Sequence, residues 1–199
     1  MTPPEIVVKV GGALLRHPRV LDRALAVLAA AAPAARMVLV PGGGPFADAV
    51  RAVDQALGLP PDASHWMAVL AMDQYAHLLA ARLHGGCLVD DPSGIAAALD
   101  AGRVPVLAPS RWLRAADPLP HSWEVTSDSL AAWIAGRLGA ARLVLVKPPG
   151  ANGPNLVDPS FGRALPQGLA ATIVPADDEG ALRRALAAEG AETHGGERL

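Results

Sequence analysis

With 199 residues, 51% apolar and 18% charged, the chain has the length of one domain and the apolar content for a large core. A formal charge of −2 gives no basic field for nucleic acid, and the single cysteine, Cys87, excludes an internal disulfide framework and suits a reducing, cytoplasmic compartment. The start, MTPPEIVVKVGG, lacks the basic region of a signal peptide, and the longest apolar stretch, LDRALAVLAAAAPAARMVLV, is broken by Arg23, Pro33 and Arg36, so no membrane span is expected.

Residues 6–10, IVVKV, read as a strand, and 19–32 as a helix ending before Pro33. A second strand, 37–41, runs through Gly42-Gly43-Gly44 into a helix to about 57. Residues 64–84 predict a long helix with Ser64 as N-cap. It is apolar all round for much of its length, so it is buried under its own sheet or against a partner. A short strand follows at 87–90, then a helix from 92 and a strand over 104–110. The Trp/Pro-rich stretch 111–125, RWLRAADPLPHSWEV, reads as a loop before the helix 126–139, TSDSLAAWIAGRLG. Residues 141–148 form a late strand. The remainder reads as a Pro/Gly loop, a strand at 171–175, a helix over 177–190 and a frayed end, ETHGGERL. Strands apolar throughout and separated by helices predict an α/β protein: a three-layer αβα sandwich on a mainly parallel open sheet. No repeat or interdomain linker divides residues 1–199.

Ligands of such sheets gather at the carboxyl ends of the strands, and the unusual residues sit there. Lys9 and Lys147 are the only lysines, against fifteen arginines. Lys9 precedes Gly11-Gly12 at the end of the first strand, and Lys147 ends the late one. Glycines after a strand leave backbone N–H groups open to an anion, and a following helix adds its positive dipole end. Two such turns, at 11–12 and 42–44, imply two anionic groups side by side, with Lys9 as a mobile point charge between them. That is most of what phosphoryl transfer needs. The bland readings stand beside this one: a glycine pair can be a plain turn, and a strand-end lysine can snorkel to solvent. GxGxxG and GxxxxGK[ST] are both absent, which argues against a dinucleotide fold and a P-loop.

Strand-KxGG, strand-PGGG-helix and a late Ser-Asp-Ser helix start together resemble the amino acid kinase family, over roughly residues 5–148. The HSWxxTSDS core, with MDQYAHLL in the long helix, is similar to the subgroup that phosphorylates an aminomethylfuran-methyl phosphate in methanofuran-type cofactor synthesis. The resemblance implies a carbamate-kinase-like fold, with 1–110 as the acceptor-side half and 111–199 as a shortened nucleotide-side half. It implies ATP as donor and Mg²⁺ carried on the nucleotide phosphates, with no dedicated protein metal site. Lys9 would contact the transferring phosphoryl group, Gly11 and Gly12 the donor phosphates, and Gly42, Gly43 and Gly44 the acceptor. Asp128 would orient the lysines by charge pairing. His121, Ser122, Trp123, Thr126 and Ser127 would line the acceptor pocket, with Asp73 as a further candidate for pairing an aminomethyl cation. Related kinases pair, which implies a homodimer or larger assembly acting on a small-molecule phosphate.

The chain departs from the family at the late strand. The usual Thr-Asp pair and the following long loop with a second lysine are replaced by VKPPGANGPNLVDPSF. Lys147 would supply the missing cation from a new position, and Asp158 lies in a VDP segment that is also ordinary turn chemistry. Two other readings stay open: a non-catalytic anion-binding or assembly protein on the same fold, and a kinase with a carboxylate or different phosphate acceptor.

Overall fold

The computed structural model describes residues 2–151 and 156–187. Six strands, β1 (Ile6–Val10), β2 (Met37–Pro41), β3 (Gly86–Val89), β4 (Val104–Leu107), β5 (Arg142–Lys147) and β6 (Ala170–Pro175), form one sheet in the order β3-β4-β2-β1-β5-β6. Every pairing is parallel. The first strand in the chain, β1, therefore lies at the centre, flanked by β2 and β5, and all five of its residues are buried.

Among the described residues, eight α-helices accompany the strands: α1 (Pro18–Ala31), α2 (Gly44–Leu57), α3 (Pro61–Arg82), α4 (Pro92–Asp100), α5 (Ser110–Ala116), α6 (Ser127–Leu138), α7 (Phe161–Ala164) and α8 (Glu179–Leu186). Strand alternation divides the core in two. Ile6, Val8 and Val10 pack with Leu21, Leu25 and Leu28 of α1 and Leu182 of α8. Val7, Leu143 and Leu145 pack on the other face with Ile95 of α4, Leu113 of α5 and Leu130 and Ile134 of α6. Helix α3 serves both cores, Tyr75 and Leu79 in the first and Val69 and Met72 in the second, so its N-terminal half passes over the strand ends. None of the described helices is long and apolar enough to cross a membrane.

Two expectations are corrected. The long helix starts at Pro61, and Ser64 lies inside it, its hydroxyl donating to the Pro61 carbonyl at 3.1 Å. Residues 110–116, read largely as loop, form α5, because a tertiary contact supplies its cap: the Asp73 carboxylate on α3 accepts from the Ser110 N–H at 3.0 Å and from its hydroxyl. The expected tail helix is present as α8, while 188–190 and the ETHGGERL end lie outside the described residues.

Candidate active site

Lys9 near the end of β1 and Lys147 at the end of β5 lie on adjacent strands with odd-numbered neighbours in the same core, so both side chains rise toward α6. Thr126 has an extended backbone, and its hydroxyl accepts from the Asp128 N–H at 3.4 Å and starts α6, which sets Asp128 in the first turn, where the dipole favours a carboxylate. Asp128 Oδ1 faces Lys9 Nζ at 2.8 Å, and Oδ2 accepts a hydrogen bond from Lys147 Nζ at 2.6 Å. Lys9 and Asp128 are each 5% exposed and Lys147 9%. Burial pushes the Asp128 pKa up, but the two ammonium groups outweigh it and hold the carboxyl below its usual value. Burial, then repulsion from Lys9, pulls Lys147 below the ordinary lysine range, with Asp128 opposing. The cluster thus carries one surplus positive charge at the sheet's rim, braced by a carboxylate whose two oxygens each lie within ion-pair distance of an ammonium group.

The two glycine turns press directly on one another. A Cβ on Gly12 would meet the Gly44 nitrogen at 2.1 Å, and one on Gly42 would meet the Gly12 nitrogen at 2.5 Å. Gly44 also has φ +55°, a conformation that glycine adopts without strain. The N–H groups of Gly11 and Gly42 are already spent on the Val146 and Val10 carbonyls, both at 2.8 Å. Among the described residues, those of Gly12, Gly43 and Gly44 have no protein acceptor and remain open to an anion. Gly11 shapes its turn, since a Cβ there would lie 2.7 Å from the Val146 carbonyl oxygen.

A cavity of ≈ 170 Å³ opens beside the second turn. Gly43, Gly44, Thr126 and Ser127 form its polar end, where α2 and α6 both begin. Ala47, Ala68, Val69, Met72, Val125 and Leu130 make its apolar wall, and Asp48, Arg51, His65 and Trp123 complete it. The Trp123 indole N–H donates to Asp54 at 2.6 Å while the Arg51 guanidinium lies 4.1 Å above its ring, which ties the 117–126 segment to α2. A basic strand-end pair, two open backbone cradles and an adjoining cleft are suited to holding two phosphate groups in line.

The chain matches the amino acid kinase family over residues 4–148. It belongs to that family. It is 33% identical over 140 residues to a [5-(aminomethyl)furan-3-yl]methyl phosphate kinase of Methanocaldococcus jannaschii, a match that takes in 70% of this chain and 63% of that protein's length. Its fold is similar to that of a UMP kinase from Bacillus anthracis (TM-score 0.64, 15% identity, 92% of each chain). A uridylate kinase from Archaeoglobus fulgidus is also similar (TM-score 0.56, 17% identity, 72% of this chain and 63% of that one). So is a UMP kinase from Ureaplasma parvum (TM-score 0.58, 14% identity, 77% and 73%).

Within this family member, the residues expected at the acceptor separate. Trp123, Thr126 and Ser127 line the cleft; His121 and Ser122 do not. The His121 ring instead lies between two carboxylates, Nδ1 2.7 Å from Asp62 and Nε2 2.8 Å from Asp117. These contacts, Asp62 first, raise its pKa above the ordinary value. Ser122 accepts from the Glu124 N–H at 3.3 Å. Asp73 is engaged by Ser110, so it caps α5 and does not face the cleft.

Asp158 proves to be a hub. Its Oδ2 accepts from the Thr126 hydroxyl at 2.7 Å and from the N–H groups of Thr126 and Ser129 at 3.0 Å, and its Oδ1 from the Ser160 N–H at 3.1 Å and the Ser129 hydroxyl. The far end of the loop after β5 is thereby fastened to the start of α6. Residues 152–155 of that loop lie outside the described residues. His65, Asp48 and Arg51 were missed in the sequence because each sits within a helix and belongs to no motif; only the topology turns them toward one cavity.

Proposed function

We propose that the protein is an ATP-dependent kinase that transfers a phosphoryl group to a phosphomonoester, of the aminomethylfuran-methyl phosphate kind, giving a diphosphate. The observation that carries this reading is the Lys9–Asp128–Lys147 cluster beside two contacting glycine turns. The Gly12 N–H would hold donor phosphate oxygens, and the Gly43 and Gly44 N–H groups with the start of α6 would hold the acceptor phosphate. An acceptor oxygen attacks the terminal phosphorus of the donor as the bond to the leaving diphosphate breaks. Lys9 neutralises the charge on the transferring group, and Lys147 supplies the cation that relatives take from a longer loop. Asp128 is a positioning residue, since both its oxygens are held by ammonium groups. An acceptor already ionised as phosphate needs no general base. The Mg²⁺ that accompanies a nucleotide would be held by the nucleotide's own oxygens, because the cluster offers no free carboxylate.

A phosphate acceptor fits this geometry better than a carboxylate, because the open N–H groups of Gly43 and Gly44 and the dipole of α6 converge where several oxygens must be held. A homodimer is part of the proposal. Val53 and Leu57 on α2, Met67 and Leu70 on α3 and Leu88 on β3 are exposed, an apolar spread that suits a partner surface. Light scattering at micromolar concentration tests it: a strictly monomeric mass would refute that part.

The test of activity is ADP release on adding phosphomonoesters to protein with ATP-Mg²⁺, with Lys9→Ala as control. Release that depends on the ester and falls by 100-fold or more in Lys9→Ala, a loss of about 3 kcal/mol of transition-state stabilisation, is expected. No release with any ester, together with no rise in melting temperature on adding nucleotide, would sink the kinase reading.

A further inference from the structure

His65 lines the acceptor cavity and is 9% exposed, yet neither of its ring nitrogens has a hydrogen-bond partner among the described residues. Neither nitrogen is among the fully buried unpartnered polar atoms of the described residues, so the ring keeps contact with the open cavity and is available to a ligand there. Its ring stacks on that of His121, with centroids 4.1 Å apart and planes 15° from parallel, and the Trp66 edge meets both. His121 has a carboxylate on each nitrogen, so both nitrogens must donate, and the ring is an imidazolium while the clasp holds.

That neighbour decides what His65 can bind. A phosphate dianion would draw a proton onto His65 and set a second positive ring 4.1 Å from the first. A cationic donor requires no proton: it gives an N–H to the free lone pair of a neutral imidazole. Burial and the charge on His121 both keep His65 neutral, its pKa lowered to about 4, against weaker opposition from Asp117 and Asp62. The other charged groups nearby are committed. Arg114 stacks on Trp66 at 4.7 Å, Arg51 on Trp123, and Asp48 pairs with Arg16 at 2.7 Å.

We infer that His65 is a specificity-determining residue that reads a primary ammonium group on the acceptor, its bare ring nitrogen accepting a hydrogen bond from the substrate's N–H. The inference rests on the proposed function, with the acceptor phosphate at Gly43 and Gly44 and the amine at the His65 side of the cavity. Neutral acceptors of a charged N–H typically give 10- to 100-fold discrimination.

The test compares two phosphomonoesters of one furan ring, bearing aminomethyl or methyl, in wild type, His65→Leu and His65→Gln. Wild type should favour the amine in kcat/KM by about 10- to 100-fold, with the difference in KM. His65→Leu should bring the ratio to within about threefold of unity, and His65→Gln, which keeps a neutral acceptor, should retain most of it. An unchanged ratio in His65→Leu, or no preference in wild type, overturns the inference. If wild type turns over neither ester, the kinase reading has failed. Calorimetric Kd values for the two esters then decide His65: tighter binding of the amine that disappears in His65→Leu upholds it, and equal Kd values overturn it. His65→Gln guards against a folding defect in the leucine variant.

Discussion

Replacing Asp128 by asparagine keeps the shape of the side chain and removes the only charge between two buried lysines. Breaking a buried ion pair from one side typically costs about 3–5 kcal/mol, a large part of a domain's usual stability of about 5–15 kcal/mol. The chain can limit the loss by releasing a proton. Taking Lys147 from its ordinary 10.5 to neutrality at pH 7 costs about 5 kcal/mol at roughly 1.4 kcal/mol per pH unit, so the two routes set the same ceiling. A lysine whose folded-state pKa is depressed gains relative stability as pH rises toward its unfolded value, so the deficit should shrink between pH 7 and pH 10. Urea unfolding at several pH values measures this as a midpoint shift at constant slope. The double variant Asp128→Asn/Lys147→Met, which relieves the lysine repulsion, should be more stable than Asp128→Asn alone. A deficit below about 1 kcal/mol at pH 7, or one that does not shrink as pH rises, would refute the reasoning.

Three further outcomes are expected. Gly12→Ala should impair both folding and turnover, because its Cβ would collide with the Gly44 backbone at 2.1 Å; a variant as stable and active as wild type would show that the turns can separate. Tyr75→Phe should be neutral or stabilising by up to about 1 kcal/mol, since the buried hydroxyl has no partner among the described residues; a loss beyond that in urea unfolding would contradict it. The two stacked histidines should give opposite pH slopes. His121, raised above 6.5, contributes stability that is full below pH 6.5 and lost as pH climbs through its folded value, whereas His65, lowered to about 4, contributes stability that is lost as pH falls from 6.5 toward 4. Melting temperatures from pH 4 to 9 should show His121→Gln flattening the alkaline fall and His65→Gln the acid one; no change in either limb would count against the clasp.

Much of the frame was legible in the sequence because its signals are local. The wholly apolar strands announced a covered parallel sheet, and the glycines at 11–12 and 42–44 marked the rim where Lys9 and Lys147 emerge. The helix read over 126–139 agrees with α6, Ser127–Leu138, to within a residue at each end. What escaped depends on distant partners. Helix α5 is seven residues between prolines, and its cap comes from Asp73 on another helix. His121 reads as a pocket residue until Asp62 and Asp117 are seen on either side of it. His65 gives no sequence signal, since a histidine in an apolar helix looks like packing until α3 is seen crossing the strand ends.

Phosphoryl transfer in this site requires two phosphates to meet between the glycine turns under Lys9. ³¹P NMR of wild-type protein with ATP-Mg²⁺ and aminomethylfuran-methyl phosphate tests this directly. ADP and a new furanylmethyl diphosphate should form, in the presence of hydroxylamine without any trapped acyl product, and should be absent with Lys9→Ala. Intact ATP and ester after prolonged incubation, or diphosphate formed equally well by Lys9→Ala, would contradict it.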